Sequence, residues 1–187
     1  INRLSIGVQS FADHQLKHLG RIHDGQQAIA AIKMAKEAGF DNFNIDLMHG
    51  LPDQSEAQAL ADIQQAIDLG PTHLSWYQLT IEPNTEFFKR PPVLPEDETL
   101  WDIQEAGQAL LAKHGFVQYE VSAYAQAGKQ AKHNVNYWQF GDYLGIGAGA
   151  HGKVTDLMNA PESLTASPVL RTRKTSAPKD FLNAGKA

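Results

Sequence analysis

The sequence contains no cysteine among its 187 residues, which excludes disulfide bonds and thiolate metal sites within it. It has no apolar run near the roughly 20 residues that a membrane-spanning helix requires. Its first residues also lack the order of a signal peptide. The net charge is -5 and no block of like charge stands out. This argues against the clustered Lys and Arg of a nucleic-acid-binding surface.

The common nucleotide-binding loops are absent as well. No GxGxxG follows a strand-like run, and no GxxxxGK precedes a Ser or Thr. No internal repeat occurs at the periods of solenoid proteins. What remains is an ordinary globular composition, 42% hydrophobic, in a chain long enough for one domain or for a domain with an appendage.

Strand-like runs alternate with helical patterns in the first part of the chain. Helical stripes begin at Asp24, after Ser55 as an N-cap, and near Pro95. The strand-like runs are RLSIGV (3–8), NFNIDLM (42–48) and THLSWYQL (72–79). Repeating units of about 30 to 40 residues predict right-handed βαβ crossovers and a parallel sheet. The fold is α/β, either an open doubly wound sheet or part of a (β/α) barrel.

The rest of the chain departs from this regular alternation. The loop over 80–95 is longer than a simple connection, which is typical of functional or mobile segments. The run 116–125 predicts one further strand. We expect the barrel-like part to span 1–115 and a C-terminal extension to span 116–187. The last ~30 residues of that extension are polar and predicted to be weakly ordered.

Both ends of the chain suggest that it is incomplete. It opens on Ile1 directly in a strand-like run, and it ends in LNAGKA without a closing element. We therefore expect the chain to be a fragment. Processing or trimming of the chain is the alternative interpretation.

Polar residues fall where a parallel sheet binds ligands, outside the carboxyl ends of its strands. Asp46 lies inside an apolar run, where a carboxylate is costly unless it is paired. It is either an interior acid bonded to a partner such as Arg21, or an acceptor for ligand hydroxyl or ammonium groups. Gln9 either caps a neighbouring loop or hydrogen-bonds a polar ligand.

Arg21 and the glycine-rich run 145–152 each admit two interpretations. Arg21 is either a surface guanidinium or a forked donor for a ligand carboxylate. GIGAGAHG (145–152), which carries His151, is either a tight strand-to-helix turn or a loop that lets a cofactor approach the backbone. His49, in MHGLP, is typical of a turn histidine.

Several segments, taken together in their order and spacing, resemble one known family. They are RLSIGVQSF, LGRIH, NIDLMHGLPDQS, HLSWYQL and DYLGIGAGAHG. Over about residues 1–155 the chain resembles the oxygen-independent coproporphyrinogen III oxidase group of radical S-adenosylmethionine (SAM) proteins. LSWYQLTIEPNTEF and HNVNYW are more similar to the heme-chaperone branch of that group.

The resemblance implies a partial parallel (β/α) barrel of the radical SAM type, with SAM and a 4Fe–4S cluster as cofactors. In the family a CxxxCxxC motif ligates the cluster. Because this chain has no cysteine, the resemblance implies that the motif and the N-terminal strands of the barrel lie before its first residue and are missing here. The chain alone is then expected to be inactive in radical chemistry, since cluster ligation needs thiolates.

The family's motifs also imply which residues contact SAM. Gln9 and Asp46 would hold its polar groups and Arg21 its carboxylate. Thr80 and His151 match later SAM contacts of the family less closely. In the oxidase, a 5′-deoxyadenosyl radical abstracts hydrogen from propionate side chains and decarboxylation follows. The heme-chaperone branch instead binds heme and delivers it to respiratory proteins.

The segment HNVNYW (133–138) leaves two interpretations open. One is a short helix with Asn134 at its start and with Tyr137 and Trp138 packed inward. The other is a heme-facing edge with His133 as an axial ligand. No second motif at a metal-ligand spacing accompanies His133, which argues against a structural metal site.

The sequence thus predicts part of a radical SAM protein of porphyrin or heme metabolism, from the heme-chaperone branch. The partners implied are heme or coproporphyrinogen III and a heme-accepting respiratory protein, without nucleic acid or an integral membrane segment. A cytoplasmic location is expected, with membrane association only through partners. The alternatives are the coproporphyrinogen III oxidase itself and a cofactor-free α/β module that binds a small ligand.

Overall fold

A computed structural model describes residues 2–155 and 169–183. The chain divides into two compact units, residues 1–131 and 132–187. The first unit contains β1 (Leu4–Gln9), α1 (Asp13–His18), α2 (Gly25–Glu37), β2 (Phe43–His49), α3 (Glu56–Asp68), β3 (His73–Gln78), α4 (Glu86–Lys89), α5 (Asp97–Lys113), β4 (Val117–Glu120) and β5 (Ala123–Ala125). The second contains α6 (Lys132–Trp138), β6 (His151–Thr155), β7 (Val169–Arg173) and α7 (Pro178–Asn183).

The sheet of the first unit has the strand order β1-β2-β3-β5-β4. β1, β2 and β3 pair in parallel, as the alternation of strands and helices predicts. β5 pairs antiparallel with both β3 and β4. The prediction of one strand over 116–125 is therefore wrong, because the chain reverses at residues 121–122 and forms a hairpin.

The helices between the parallel strands begin and end at local signals. Asp24 and Ser55 each close a capping box, with Gln27 and Gln58 as the reciprocal partners. These two helix starts are confirmed. Gly70 follows α3 with a positive φ of 74°, a backbone conformation that ends a helix at little cost for glycine. Two short helices, α1 and α4, are not predicted, and α4 lies inside the expected loop over 80–95.

One face of the parallel strands carries the main hydrophobic core. Alternate residues of each strand pack there against α2, α3 and α5, because successive strand residues point to opposite faces. The buried strand residues of this helix-covered face include Val8, Phe43, Ile45, Leu47, Leu74 and Trp76. Gly107 of α5 is required at its position, since a Cβ there would lie 2.1 Å from the Trp76 ring. The opposite face of the same strands is called the inner face below.

The division between the units falls later in the chain than the expected boundary after residue 115. The reason is that the β4–β5 hairpin continues the sheet beyond β3. Of the ~30 C-terminal residues expected to be weakly ordered, residues 169–183 form β7 and α7. Residues 158–168 and 184–187 lie outside the described residues.

The second unit contains a two-stranded antiparallel sheet of β6 and β7. Lys153 of β6 is buried, and its ammonium donates to Asp142 Oδ1 at 2.9 Å and to the Phe140 carbonyl at 2.8 Å. Hydrogen bonds from Thr155 and Lys153 lower the pKa of Asp142 to about 2. The glycine-rich run 145–152 leads into strand β6, so its interpretation as a strand-to-helix turn is wrong. No helix in the described part of the chain is long and apolar enough to cross a membrane.

Candidate functional site

The inner face of the parallel strands is lined with polar side chains, in contrast to the core on the other side. Asn44 and Asp46 of β2 hydrogen-bond to each other, and Asn44 also bonds to residues of both neighbouring strands. The inner-face residues that form hydrogen bonds across the sheet are Ser5, Gln9, Asn44, Asp46, His73, Ser75 and Tyr77. Polar groups concentrated on one face of a sheet indicate a face that binds ligand rather than one that is covered by apolar packing.

Asp46 is held by two neighbouring donors. Ser5 Oγ donates to its Oδ2 at 3.1 Å, and Asn44 Nδ2 donates to its Oδ1 at 2.7 Å. The partner expected for an interior acid, Arg21, forms no ion pair with Asp46. The carboxylate is only half-buried. Since each carboxylate oxygen can accept more than one hydrogen bond, Asp46 keeps acceptor capacity for a ligand.

Asn44 in turn is fixed by β3 and by the hairpin. Its Oδ1 accepts from His73 Nδ1 at 2.6 Å and from Ser75 Oγ at 3.1 Å. His73 Nε2 lies 2.7 Å from the Tyr119 hydroxyl. The backbone N–H of Ala131 also donates to that hydroxyl, at 3.1 Å. A continuous polar network therefore runs from Asp46 across the sheet to the end of the first unit.

Gln9 ends β1 in an unusual backbone conformation. Its φ is 71°, and the register of β1 against β2 shifts between Gly7 and Gln9. The side chain is buried, and its Oε1 accepts a hydrogen bond of 2.6 Å from the Tyr77 hydroxyl of β3. A non-glycine residue in this conformation indicates a functional constraint more often than chance. Of its two interpretations, loop capping has no support, because the Gln9 amide bonds to a strand residue.

The pKa of Tyr77 responds to several of the residues predicted from the sequence. Burial raises the pKa of its phenol most, and the charge of Asp46 raises it further. The charge of Arg21 and the hydrogen bond to Gln9 act in the opposite direction. Gln9 contacts this hydroxyl directly, whereas Asp46 and Arg21 influence it through their charges.

The remaining predicted site residues are exposed. The backbone N–H of Arg21 donates to the Leu16 carbonyl at 2.9 Å. The Arg21 guanidinium faces solvent. Thr80 follows β3 and its hydroxyl donates to Glu82 Oε1 at 3.1 Å. His151 and His133 lie in the second unit, on β6 and α6. Gln9, Arg21, Asp46 and Thr80 all lie in the first unit, and of these Gln9 and Asp46 lie on the inner face.

The segment HNVNYW forms α6, which begins at Lys132 rather than at Asn134. Tyr137 is 55% exposed and Trp138 is 63% exposed, so the expectation that they pack inward is wrong. The Tyr137 ring meets the Tyr143 ring edge-on at 4.9 Å. His133 is exposed on the same helix. An exposed histidine beside exposed aromatic rings is compatible with binding a flat apolar ligand.

His49 is the last residue of β2 and lies on the helix-covered face. It is buried, and its ring packs on Trp76 with the ring centroids 4.1 Å apart. Burial lowers its pKa to about 4. The prediction of a turn histidine is wrong, because the strand extends one residue further than the apolar run suggests. Within the described ranges, no group of three or more His, Asp or Glu side chains is arranged to hold a metal ion.

Several inner-face residues were not selected from the sequence. Asn44, His73, Ser75 and Tyr77 all contribute hydrogen bonds to this face. The period-2 alternation of polar and apolar residues in 43–49 and 73–78 is the signal that identifies them. An apolar cavity of about 360 Å³ also lies near these strand ends. It is lined by His18, Pro52, Asp53, Phe87, Pro92 and Val93.

Comparison with known proteins yields a family model and close relatives. The model of the radical SAM superfamily matches residues 1–66. The heme chaperone HemW of Escherichia coli (strain K12) is 59% identical over 182 residues, which are 97% of this chain and 46% of that protein. HemW of Haemophilus influenzae is 55% identical, over 97% of this chain and 45% of that protein. The chain thus spans less than half the length of these curated relatives.

A more distant relative and a solved structure extend the comparison. HemW of Bacillus subtilis (strain 168) is 40% identical over 82% of this chain and 42% of that protein. Among solved structures, the coproporphyrinogen III oxidase HemN from Escherichia coli, a radical SAM enzyme, superposes with a TM-score of 0.75 at 21% identity. That match covers 100% of this chain and 44% of the other. It confirms the predicted α/β fold, which this chain shares with part of that structure.

Proposed function

Because this chain is homologous to HemW heme chaperones of the radical SAM superfamily over just under half their length, we propose that it supplies the SAM-contacting face of a heme-binding protein. The observation that carries the proposal is the polar inner face, where Gln9 accepts a hydrogen bond from Tyr77 and Asp46 accepts from Ser5 and Asn44. In this proposal the protein carries heme and passes it to a respiratory acceptor.

The inner-face residues have the chemistry that SAM requires. Asp46 offers acceptor oxygens to ligand hydroxyls, since Ser5 and Asn44 use only part of their capacity. Gln9 offers the N–H groups of its amide, because its oxygen is engaged by Tyr77. Arg21 supplies an exposed guanidinium that suits a carboxylate. Thr80 and His151 remain proposed SAM contacts, supported by the family resemblance alone.

The 4Fe–4S cluster, unlike SAM, cannot be held by the residues of this chain. The chain contains no cysteine, and thiolates are the ligands that such clusters require. These residues therefore do not fit the cluster, and its ligands would have to come from outside residues 1–187. SAM bound at such a cluster would supply the radical chemistry. The residues of this chain would bind SAM and orient it.

One experiment separates the proposal from its alternatives. The intact gene product that contains residues 1–187 is reconstituted with iron and sulfide, and SAM binding, heme binding and porphyrinogen decarboxylation are measured on the same preparation. Heme and SAM binding without decarboxylation supports the heme chaperone. SAM-dependent decarboxylation identifies the oxidase instead. Absence of both cluster and SAM binding supports the cofactor-free module.

His133 is the candidate axial ligand for heme, supported by its exposure beside Tyr137 and Trp138 on α6. We expect His133→Ala to shift the Soret band and to weaken heme affinity about tenfold or more, because an iron–nitrogen bond is lost. His14→Ala, which removes an exposed histidine of the first unit, is the matched control. An unchanged spectrum and affinity in His133→Ala would remove this residue from the heme site.

A further inference from the structure

The hydrogen bond between Tyr77 and Gln9 connects two strands that do not pair with each other. Gln9 ends β1 and Tyr77 lies on β3, and β2 runs between them. The phenol hydroxyl nevertheless reaches the Gln9 Oε1 at 2.6 Å. Met48 of β2 pairs with Tyr77 in the strand register. The two side chains therefore bridge the width of β2 at the end of the inner face.

The conformation of Gln9 depends on its surroundings. A φ of 71° is unfavourable for a residue with a Cβ, so neighbouring contacts must hold it. Gly7 leaves the necessary room on one side, since a Cβ there would lie 2.8 Å from Gln9 Nε2. Tyr77 fixes the other end of the amide. With the oxygen occupied, the N–H groups of Nε2 are the part of Gln9 that is left for a ligand.

We propose that Tyr77 is a positioning residue of the SAM site, which acts by holding the Gln9 amide so that its N–H groups face the ligand. This inference rests on the proposed function, because it assumes that the inner face binds SAM. Tyr77 need not contact SAM itself. A carboxamide that is free to rotate would present its oxygen as often as its nitrogen, and an ordered amide avoids that loss on binding.

The electrostatics around the phenol are consistent with this role. Burial and the charge of Asp46 raise the pKa of Tyr77, although Arg21 and the Gln9 hydrogen bond oppose them. The net shift is upward, so the hydroxyl stays protonated at neutral pH and remains a donor. As a donor, the hydroxyl bonds to the Gln9 oxygen and holds the amide in the observed orientation.

The test is Tyr77→Phe in the intact gene product with its cluster reconstituted, measured by equilibrium binding of SAM. The variant keeps the ring and removes only the hydroxyl. We expect SAM affinity to fall about 3- to 10-fold, the usual effect of one neutral hydrogen bond. Tyr124→Phe is the matched control, since its hydroxyl accepts only a long bond of 3.4 Å from Gln108 and lies on the helix-covered face.

A double-mutant cycle with Gln9→Ala decides whether Tyr77 acts through Gln9. We expect Tyr77→Phe to have no further effect on SAM affinity once Gln9 is alanine. An equal loss in both backgrounds would overturn the inference, as would unchanged affinity in Tyr77→Phe itself. A parent protein that binds no SAM at all would instead overturn the proposed function. The cycle also removes any general loss of folding, because that loss would appear in both backgrounds.

Discussion

The two faces of β2 share one backbone and differ in almost everything else. Phe43, Ile45 and Leu47 point toward the helices and are fully buried in the core. Asn44 and Asp46, which alternate with them, point to the inner face and are joined by hydrogen bonds. Adjacent residues of one strand can therefore serve different purposes, because their side chains point to opposite faces and lie in different environments. The helix-covered face stabilises the fold, and the inner face carries the proposed ligand contacts.

The largest expected effect comes from the helix-covered face. We expect Ile45→Ala to lower the free energy of unfolding by about 2 to 5 kcal/mol, since a buried side chain is lost and a cavity remains. Urea denaturation of the intact protein measures it. SAM affinity of the folded fraction should stay near that of the parent. If Ile45→Ala weakened SAM binding as strongly as an inner-face variant does, the separation of tasks between the faces would be wrong.

Asp46→Ala, one residue further along β2, is expected to weaken SAM binding strongly and to lower the free energy of unfolding only slightly. SAM affinity should fall about tenfold or more, because a charged hydrogen-bond acceptor is lost. The free energy of unfolding should change by only about 1 kcal/mol, since Asp46 is half-buried and neighbours on an open face can bond to water. Equilibrium binding of SAM and urea denaturation measure the two quantities.

The matched control for this variant is Asp68→Ala, an exposed carboxylate on α3 that accepts from Gln64. It removes the same charge at a place remote from the inner face. Equal SAM affinity in the parent and in Asp46→Ala would exclude Asp46 from the site. A similar loss in both aspartate variants would point to net charge rather than to a specific contact.

The parallel half of the fold could be predicted from local patterns. The capping boxes at Asp24 and Ser55 and the apolar runs of β2 and β3 are signals contained within a few neighbouring residues. The β4–β5 hairpin could not be predicted in this way. Its turn at residues 121–122 has no glycine, proline or asparagine to mark it, and β5 is short enough to depend on pairing with β3.

The candidate site could likewise be predicted only in part from the sequence. The resemblance selects Gln9, Arg21 and Asp46, and two of them, Gln9 and Asp46, lie on the inner face. Tyr77 is not among these residues, because only the strand register shows that it faces the inner face while Trp76 faces the helices. The left-handed backbone of Gln9 is likewise invisible in the sequence, since it follows from the bulge between β1 and β2.

The smallest expected effect concerns His49, a polar residue on the apolar face. Its pKa is lowered from 6.5 to about 4 by burial, so the unfolded chain binds a proton between these values when the folded chain does not. Stability is therefore complete above pH 6.5 and falls as the pH drops toward 4. At pH 5.5 the loss from His49 should be about 1 kcal/mol, because one pKa unit corresponds to about 1.4 kcal/mol.

The measurement is urea denaturation at pH 7.5 and pH 5.5 for the parent and for His49→Leu. Leucine cannot titrate, and it sacrifices no hydrogen bond at Nδ1, which is buried without a partner among the described residues. The parent should lose about 1 kcal/mol more than the variant between the two pH values, while the other histidines contribute equally to both proteins. A parallel loss in the two proteins would mean that His49 is protonated while folded. The helix-covered face would then admit a charge beside Trp76, and the contrast between the two faces would be weaker than the hydrogen-bond pattern indicates.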